Sequence, residues 1–186
     1  MSETRGWRGY WRKWRGTTAG RPPRVSNGEM AWSWLGAFVG IGLVAIVTAR
    51  FFAGTDLTLM IGAYGSSAVL LYGAPRSPLA QPRNLIGSHL IAAVVGVTCW
   101  KLFHSVPGLA QALAVSLTIV AMHWTRTLHP PGGATTLIAT LGSDEIVRMG
   151  YGFVVVPGLL GPLILLLVAL VVNNLAATRR YPETWR

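Results

Sequence analysis

The stretch at 153–175, FVVVPGLLGPLILLLVALVVNNL, contains no ionisable side chain. A helix crossing the hydrocarbon core of a bilayer needs about 20 mostly apolar residues at 1.5 Å of rise each. Four further runs, 31–49, 57–74, 85–103 and 108–122, carry few or no charges. In lipid only helices and closed barrels satisfy their own backbone, and runs of this length predict helices. A sixth piece, 132–142, is equally apolar but reaches only about halfway through a bilayer. The reading is an all-α membrane protein, a bundle of about five transmembrane helices plus a Pro/Gly-broken short or re-entrant helix.

Composition agrees. Charged residues make up 12% of the 186-residue chain, about half the share of a soluble domain. The length suits one domain, divided into a basic aromatic front end (1–28), a membrane domain (29–176) and a basic tail (177–186). A lone Cys99 offers neither a disulfide nor a thiolate metal site. The charged N-terminus is not followed by a short apolar core and cleavage site, so the first span reads as an anchor that stays.

Seven of the 16 Lys and Arg residues fall within the first 24 positions. In a membrane protein this excess places the N-terminus in the cytoplasm, and no nucleic-acid partner is implied. Trp7, Tyr10, Trp11 and Trp14 share one face at helical spacing. They read as a lipid-interface helix, its rings in the headgroup layer and its arginines on anionic lipid. The other reading is a disordered basic tail, favoured by Gly6, Gly9 and Gly16. Ser26 and Asn27 are candidate caps for the first span. Arg179, Arg180 and Arg186 also favour a cytoplasmic C-terminus, which requires an even number of crossings. The two ends agree if 132–142 makes a thin sixth crossing; otherwise the charge rule fails at the C-terminus.

Two proline-rich breaks interrupt the apolar pattern, 74–84 (APRSPLAQPRN) and 127–133 (TLHPPGG). Pro130 and Pro131 should end the fourth helix near Leu128 or His129, since proline lacks an N–H and pushes its predecessor out of the helical region. Pro131 suits the first position of a new helix, and Pro78 and Pro82 form the other break. Gly132, Gly133, Ala134 and Thr135 would then present amides with no intrahelical partner. A helix start with close glycines is a ready anion site, as in transporters built on broken helices. Arg126 adds charge, and His129 a hydrogen bond or a proton. Ser77, Gln81, Arg83 and Asn84 supply donors from the first break, and Asn84 could cap the third span. Each arginine has the competing reading of a positive-inside residue on lipid phosphate. His89 and His123 read as packed and hydrogen-bonded within the bundle, the many span glycines as packing contacts, and Lys101 as snorkelling.

All six acids, Glu3, Glu29, Asp56, Asp144, Glu145 and Glu183, fall in predicted tails or turns. Cation channels and carboxylate-based pumps line their path with Asp or Glu. Their absence from the predicted spans favours anions or neutral solutes.

The stretches TRTLHPPGGATTLIA and GSSAVLLYGAPRSPLAQPRNLIGSHL resemble the signature segments of the HPP family of integral membrane proteins. The likeness runs over most of 31–175. It implies a small helical bundle and, as in plastid and cyanobacterial members, nitrite transport. By position it carries over Ser77, Pro78, Gln81, Pro82, Arg83, Asn84, His129, Pro130, Pro131, Gly132 and Gly133. Gly133-Ala134-Thr135-Thr136 stands where many relatives read GATA.

The resulting expectation is a transporter or channel for a small monovalent anion such as nitrite, in a bacterial inner membrane, homo-oligomeric and without cofactor or metal. The alternative is a non-transporting scaffold or sensor that binds lipid or a partner through the basic front end. Paired carboxylates, a serine nucleophile elbow and metal-ligand spacing are missing, which argues against an enzyme.

Overall fold

The computed structural model describes residues 7–14, 24–106, 108–141 and 143–185. Among them every regular element is helical. Helix α1 (Trp7–Lys13) carries the aromatic face, and its rings form an exposed cluster with Trp14. Helix α2 (Asn27–Phe51) starts on Ser26, whose hydroxyl accepts the Glu29 amide at 3.2 Å. A 3-10 turn (Asp56–Leu59) leads into α3 (Met60–Ala68), which widens into a π turn (Val69–Gly73). After the turn Pro78–Ala80 come α4 (Pro82–Phe103), α5 (Leu109–Thr125), α6 (Pro131–Ala139) and the short α7 (Asp144–Met149). A second wide turn (Val154–Leu159) opens into α8 (Leu160–Leu175).

Three helical stretches are long and apolar enough to cross a membrane: Asn27–Phe51, Pro82–Phe103 and Val154–Leu175. Helix α5 is apolar but shorter. Helix α6 runs antiparallel to α5. Gly132 at its start lies against Met122, and the carbonyl of Thr140, just past its end, accepts from Gln111 at 2.9 Å. Met122 and Gln111 are about 16 Å apart along α5, so α6 passes most of that helix. The Arg179–Glu29 contact, 2.7 Å, puts the last residues beside the start of α2. Both ends of the membrane domain therefore share one end of the bundle, here called the terminal end. Helix α6 supplies the run along α5 that lets the two ends meet there.

Several boundaries differ from the sequence expectation for local reasons. Helix α5 stops at Thr125, three residues early, because Arg126 turns left-handed (φ 58°). The amides of Arg126 and Thr127 then bond back to His123 O and Met122 O, closing the helix as a Schellman motif. Asn84 does not cap α4; it lies inside the first turn, and Gln81 holds the cap position. The uncharged run 153–175 is not one helix, since Val156 is extended (φ −132°, ψ 120°) ahead of Pro157.

Helix α4 is central, packed on α5, α6 and α8. Two tyrosines use glycine gaps to lock helices. Tyr72 lies against Gly36 and Gly40 and donates to Leu165 O at 3.0 Å; Tyr64 lies against Gly161 and donates to Pro157 O at 2.8 Å. Outward, Phe38, Ile46, Val69, Leu117, Val120, Leu167 and Val171 are exposed, as suits a surface solvated by lipid.

The basic tail expected at 177–186 is part of the domain as far as it is described. Arg179 is only 8% exposed. It bonds Glu29 Oε2, Glu29 O, Ser33 Oγ, Tyr72 O and Asn173 Oδ1. Glu29, placed outside the spans by sequence, sits in the first turn of α2 as its partner. Tyr181 is buried and donates to Ala80 O at 2.8 Å.

Candidate functional site at the crossed helix breaks

The two breaks meet at the terminal end. Arg83, exposed, donates to Thr125 O at 2.9 Å, and Asn84 to Leu128 O at 2.9 Å. These side chains thus cap the carbonyl end of α5 and tie α4 to the loop behind it. Gln81 is buried. Its amide nitrogen donates to Pro75 O and Ser77 O, and its Oε1 accepts from the amides of Glu183 and Thr184. Ser77 caps the Pro78–Ala80 turn by accepting from Leu79 N, 3.2 Å. The donors predicted to face an anion at the first break mainly hold it in shape.

At the second break the amides of Gly132 and Gly133 bond to His129 O at 3.0 Å and Pro130 O at 2.9 Å. The expectation of open amides there is not met in this arrangement, because Pro130 already has helical backbone angles and lets the first turn close on itself. Ala134 is half-buried and Pro131 buried at the start of α6, with Pro130 exposed before it. The Arg126 side chain is exposed and makes no hydrogen bond or ion pair among the described residues. At this end a cleft of about 710 Å³ is lined by Ser26, Glu29, Arg76, Ser77, Thr178 and Arg179, among others.

What the fold brings together lies deeper. His129, His89, Ser67 and Thr135 are all fully buried. His129 Nδ1 is 2.7 Å from Leu79 O, and its Nε2 is 2.9 Å from Ser67 Oγ. The same Ser67 oxygen lies 3.1 Å from His89 Nε2. His89 Nδ1 lies 2.7 Å from Thr135 Oγ1. His89 is seven residues into α4, about 10 Å from its start. Thr136 continues the polar line to Thr118 at 3.1 Å. Polar groups at this depth in lipid must find partners, and ionisable ones mark function by default.

Sequence reasoning found His129 and Thr135, gave His89 a structural role and did not single out Ser67. His89 does hydrogen-bond inside the bundle, as expected, while His123 is exposed. The signal for Ser67 and His89 was each one's polarity inside an otherwise apolar run. Their pairing depends on α3 and α4 meeting, which no local pattern encodes. Lys101 lies 4.8 Å over the Tyr151 ring instead of simply snorkelling.

The family model described as the transmembrane region of HPP proteins matches residues 22–182. The chain belongs to the HPP family. This HPP chain is similar to a transmembrane protein of Dictyostelium discoideum, 47% identical over 180 residues, covering 95% of the chain and 63% of that relative. A second transmembrane protein of the same organism is 42% identical over 179 residues, covering 95% and 57%. The HPP chain thus spans about three fifths of the length of these curated relatives. No solved structure matches it significantly. The match extends past Arg179 to residue 182, in keeping with a terminal segment packed into the bundle.

Proposed function

We propose that this HPP protein is a transporter or channel for a small monovalent anion, with nitrite the first substrate to test. The observation that carries the reading is the buried Ser67–His89–His129–Thr135 cluster, four polar side chains drawn from α3, α4, the second break and α6. Among the described residues no carboxylate touches it, and Glu29, in the first turn of α2, is matched by Arg179. Arg76, Arg83 and Arg126 are exposed at the terminal end, where their charge would raise the local concentration of an anion. Opening the Pro130–Pro131 hinge would release the Gly132 and Gly133 amides and admit the anion toward His129. One copy packs its axis with Leu71, Leu85, Ala93 and Leu165, so the reading includes self-association. It also places the N-terminus in the cytoplasm, with the exposed α1 rings on anionic lipid.

Purified protein in liposomes, offered nitrite, nitrate, formate or chloride, tests this. Nitrite influx above protein-free liposomes is expected. His129→Ala, at matched protein level, should lower it about tenfold, the worth of one hydrogen bond to a buried group. Flux of none of the four anions would overturn the reading. The exposed aromatic face of α1 keeps the scaffold reading in play, and removing residues 1–24 separates the two: a transporter keeps its flux.

A further inference from the structure

The hydrogens in the buried cluster are fixed by a single acceptor. Leu79 O, 2.7 Å from His129 Nδ1, only accepts, so Nδ1 carries a hydrogen. In the neutral ring Nε2 is then an acceptor, and Ser67 Oγ at 2.9 Å supplies the hydrogen. The Ser67 oxygen accepts in turn from His89 Nε2 at 3.1 Å. His89 Nδ1 is left bare and accepts from the Thr135 hydroxyl at 2.7 Å. Every bond points the same way, from α6 toward the break. Ser67 also has a second acceptor, Ala63 O at 3.2 Å, for its hydrogen whenever both His129 nitrogens are protonated.

We propose that Thr135, His89, Ser67 and His129 form a proton relay, and that the anion crosses together with one proton carried along it. The inference rests on the transport reading above. A hydronium ion or weak acid protonates the Thr135 oxygen as the Thr135 hydrogen passes to His89 Nδ1. The His89 Nε2 hydrogen moves to Ser67, and the Ser67 hydrogen moves to His129 Nε2. Each oxygen or nitrogen that gains a hydrogen on one side gives one up on the other, except His129, which ends with the positive charge. That charge stands one residue from Pro130, past which the anion moves in the same direction, toward the terminal end. The anion and the Nε2 proton of His129 leave together, and the hydroxyls then rotate back. His89, left with its hydrogen on Nδ1, regains the Nε2–H tautomer by exchanging that hydrogen with water admitted while the break is open.

No fixed charge in the surrounding elements competes with this transfer. From α3 the nearest titratable group is Tyr64, its ring 6.3 Å from His89 and its hydroxyl spent on Pro157 O. Tyr72 in the following π turn is spent on Leu165 O. Helix α4 has Arg83 at its start, bonded to Thr125 O, and Lys101 at its other end over Tyr151. Helix α5 offers only the exposed His123, and the break only the exposed Arg126. Helices α6 and α8 and the turn Pro78–Ala80 contain no ionisable residue.

Two measurements test the relay. Nitrogen-15 NMR of histidine-labelled wild-type protein in lipid should show opposite neutral tautomers, Nδ1–H on His129 and Nε2–H on His89. The same tautomer on both rings would overturn the relay. In liposomes containing a pH-sensitive dye, nitrite influx should acidify the interior in step with the anion. Thr135→Val should cut that acidification about tenfold or more, and Thr135→Ser, which keeps the hydroxyl, should restore it. Nitrite influx without acidification sinks the relay and leaves transport standing. Acidification under a pH gradient with no anion flux removes the anion reading and keeps the relay; neither flux removes both.

Discussion

Arg126 holds a left-handed backbone conformation at the close of α5, which costs an L residue about 1–2 kcal/mol. A glycine there would keep the Schellman bonds at lower cost. Arg126→Gly is therefore expected to raise unfolding stability in detergent by about 1 kcal/mol. If the guanidinium draws anions to the break, the same variant loses nitrite flux while it gains stability. Stability and flux falling together would mark Arg126 as structural. At this scale the sequence was readable only where neighbours fixed a residue's setting. His129 stood out because two prolines follow it. Arg179 looked like an ordinary positive-inside residue, since its partners Glu29, Ser33 and Tyr72 lie more than 100 positions away in the chain. Gln81 and Asn84 looked like ligands for a solute. Asn84 instead donates to Leu128 O, in a segment that only the folded bundle brings near, while Gln81 donates to Pro75 O and Ser77 O of its own break and takes the distant amides of Glu183 and Thr184 on its Oε1.

Between elements, α4 and α6 approach each other closely at Gly96. A Cβ at Gly96 would lie 2.6 Å from Ala139 Cβ and 2.9 Å from Thr136 O. Backbone cannot step aside as a flexible side chain does, so Gly96→Ala should destabilise by about 1–3 kcal/mol through overpacking. Gly62 and Gly42 meet nothing within 4 Å, and Gly62→Ala or Gly42→Ala should be neutral or stabilising by up to about 1 kcal/mol. Detergent thermal unfolding of the three variants separates them, and equal costs would mean that the α4–α6 seam is looser than described. Apolar run length identified most of the elements. It passed over the extended residue at Val156, because hydropathy carries no record of where a proline redirects the backbone. It also could not decide whether 132–142 turns back, since that depends on the helix beside it.

For the molecule as a whole, the pairing of Arg179 with Glu29 and the course of α6 along α5 put both ends of the membrane domain at one end of the bundle. Cysteines at Ser26 and Arg180 should react with an impermeant reagent from one side of a sealed vesicle, and cysteines at His104 and Asp144 from the other. The native Cys99 is buried, so its background is low. Labelling of Arg180→Cys and Ser26→Cys from opposite sides would contradict the arrangement. The charge bias near both termini left the number of crossings open, because it turned on the length of the sixth piece.

The backbone amides of Glu183 and Thr184 hang on the side chain of Gln81, which caps the start of α4, and the Tyr181 hydroxyl on the carbonyl just before it. Tension on the chain after Thr184 would reach the first break through a single side chain. A domain fused at that point would pull on the segment whose Leu79 carbonyl meets His129.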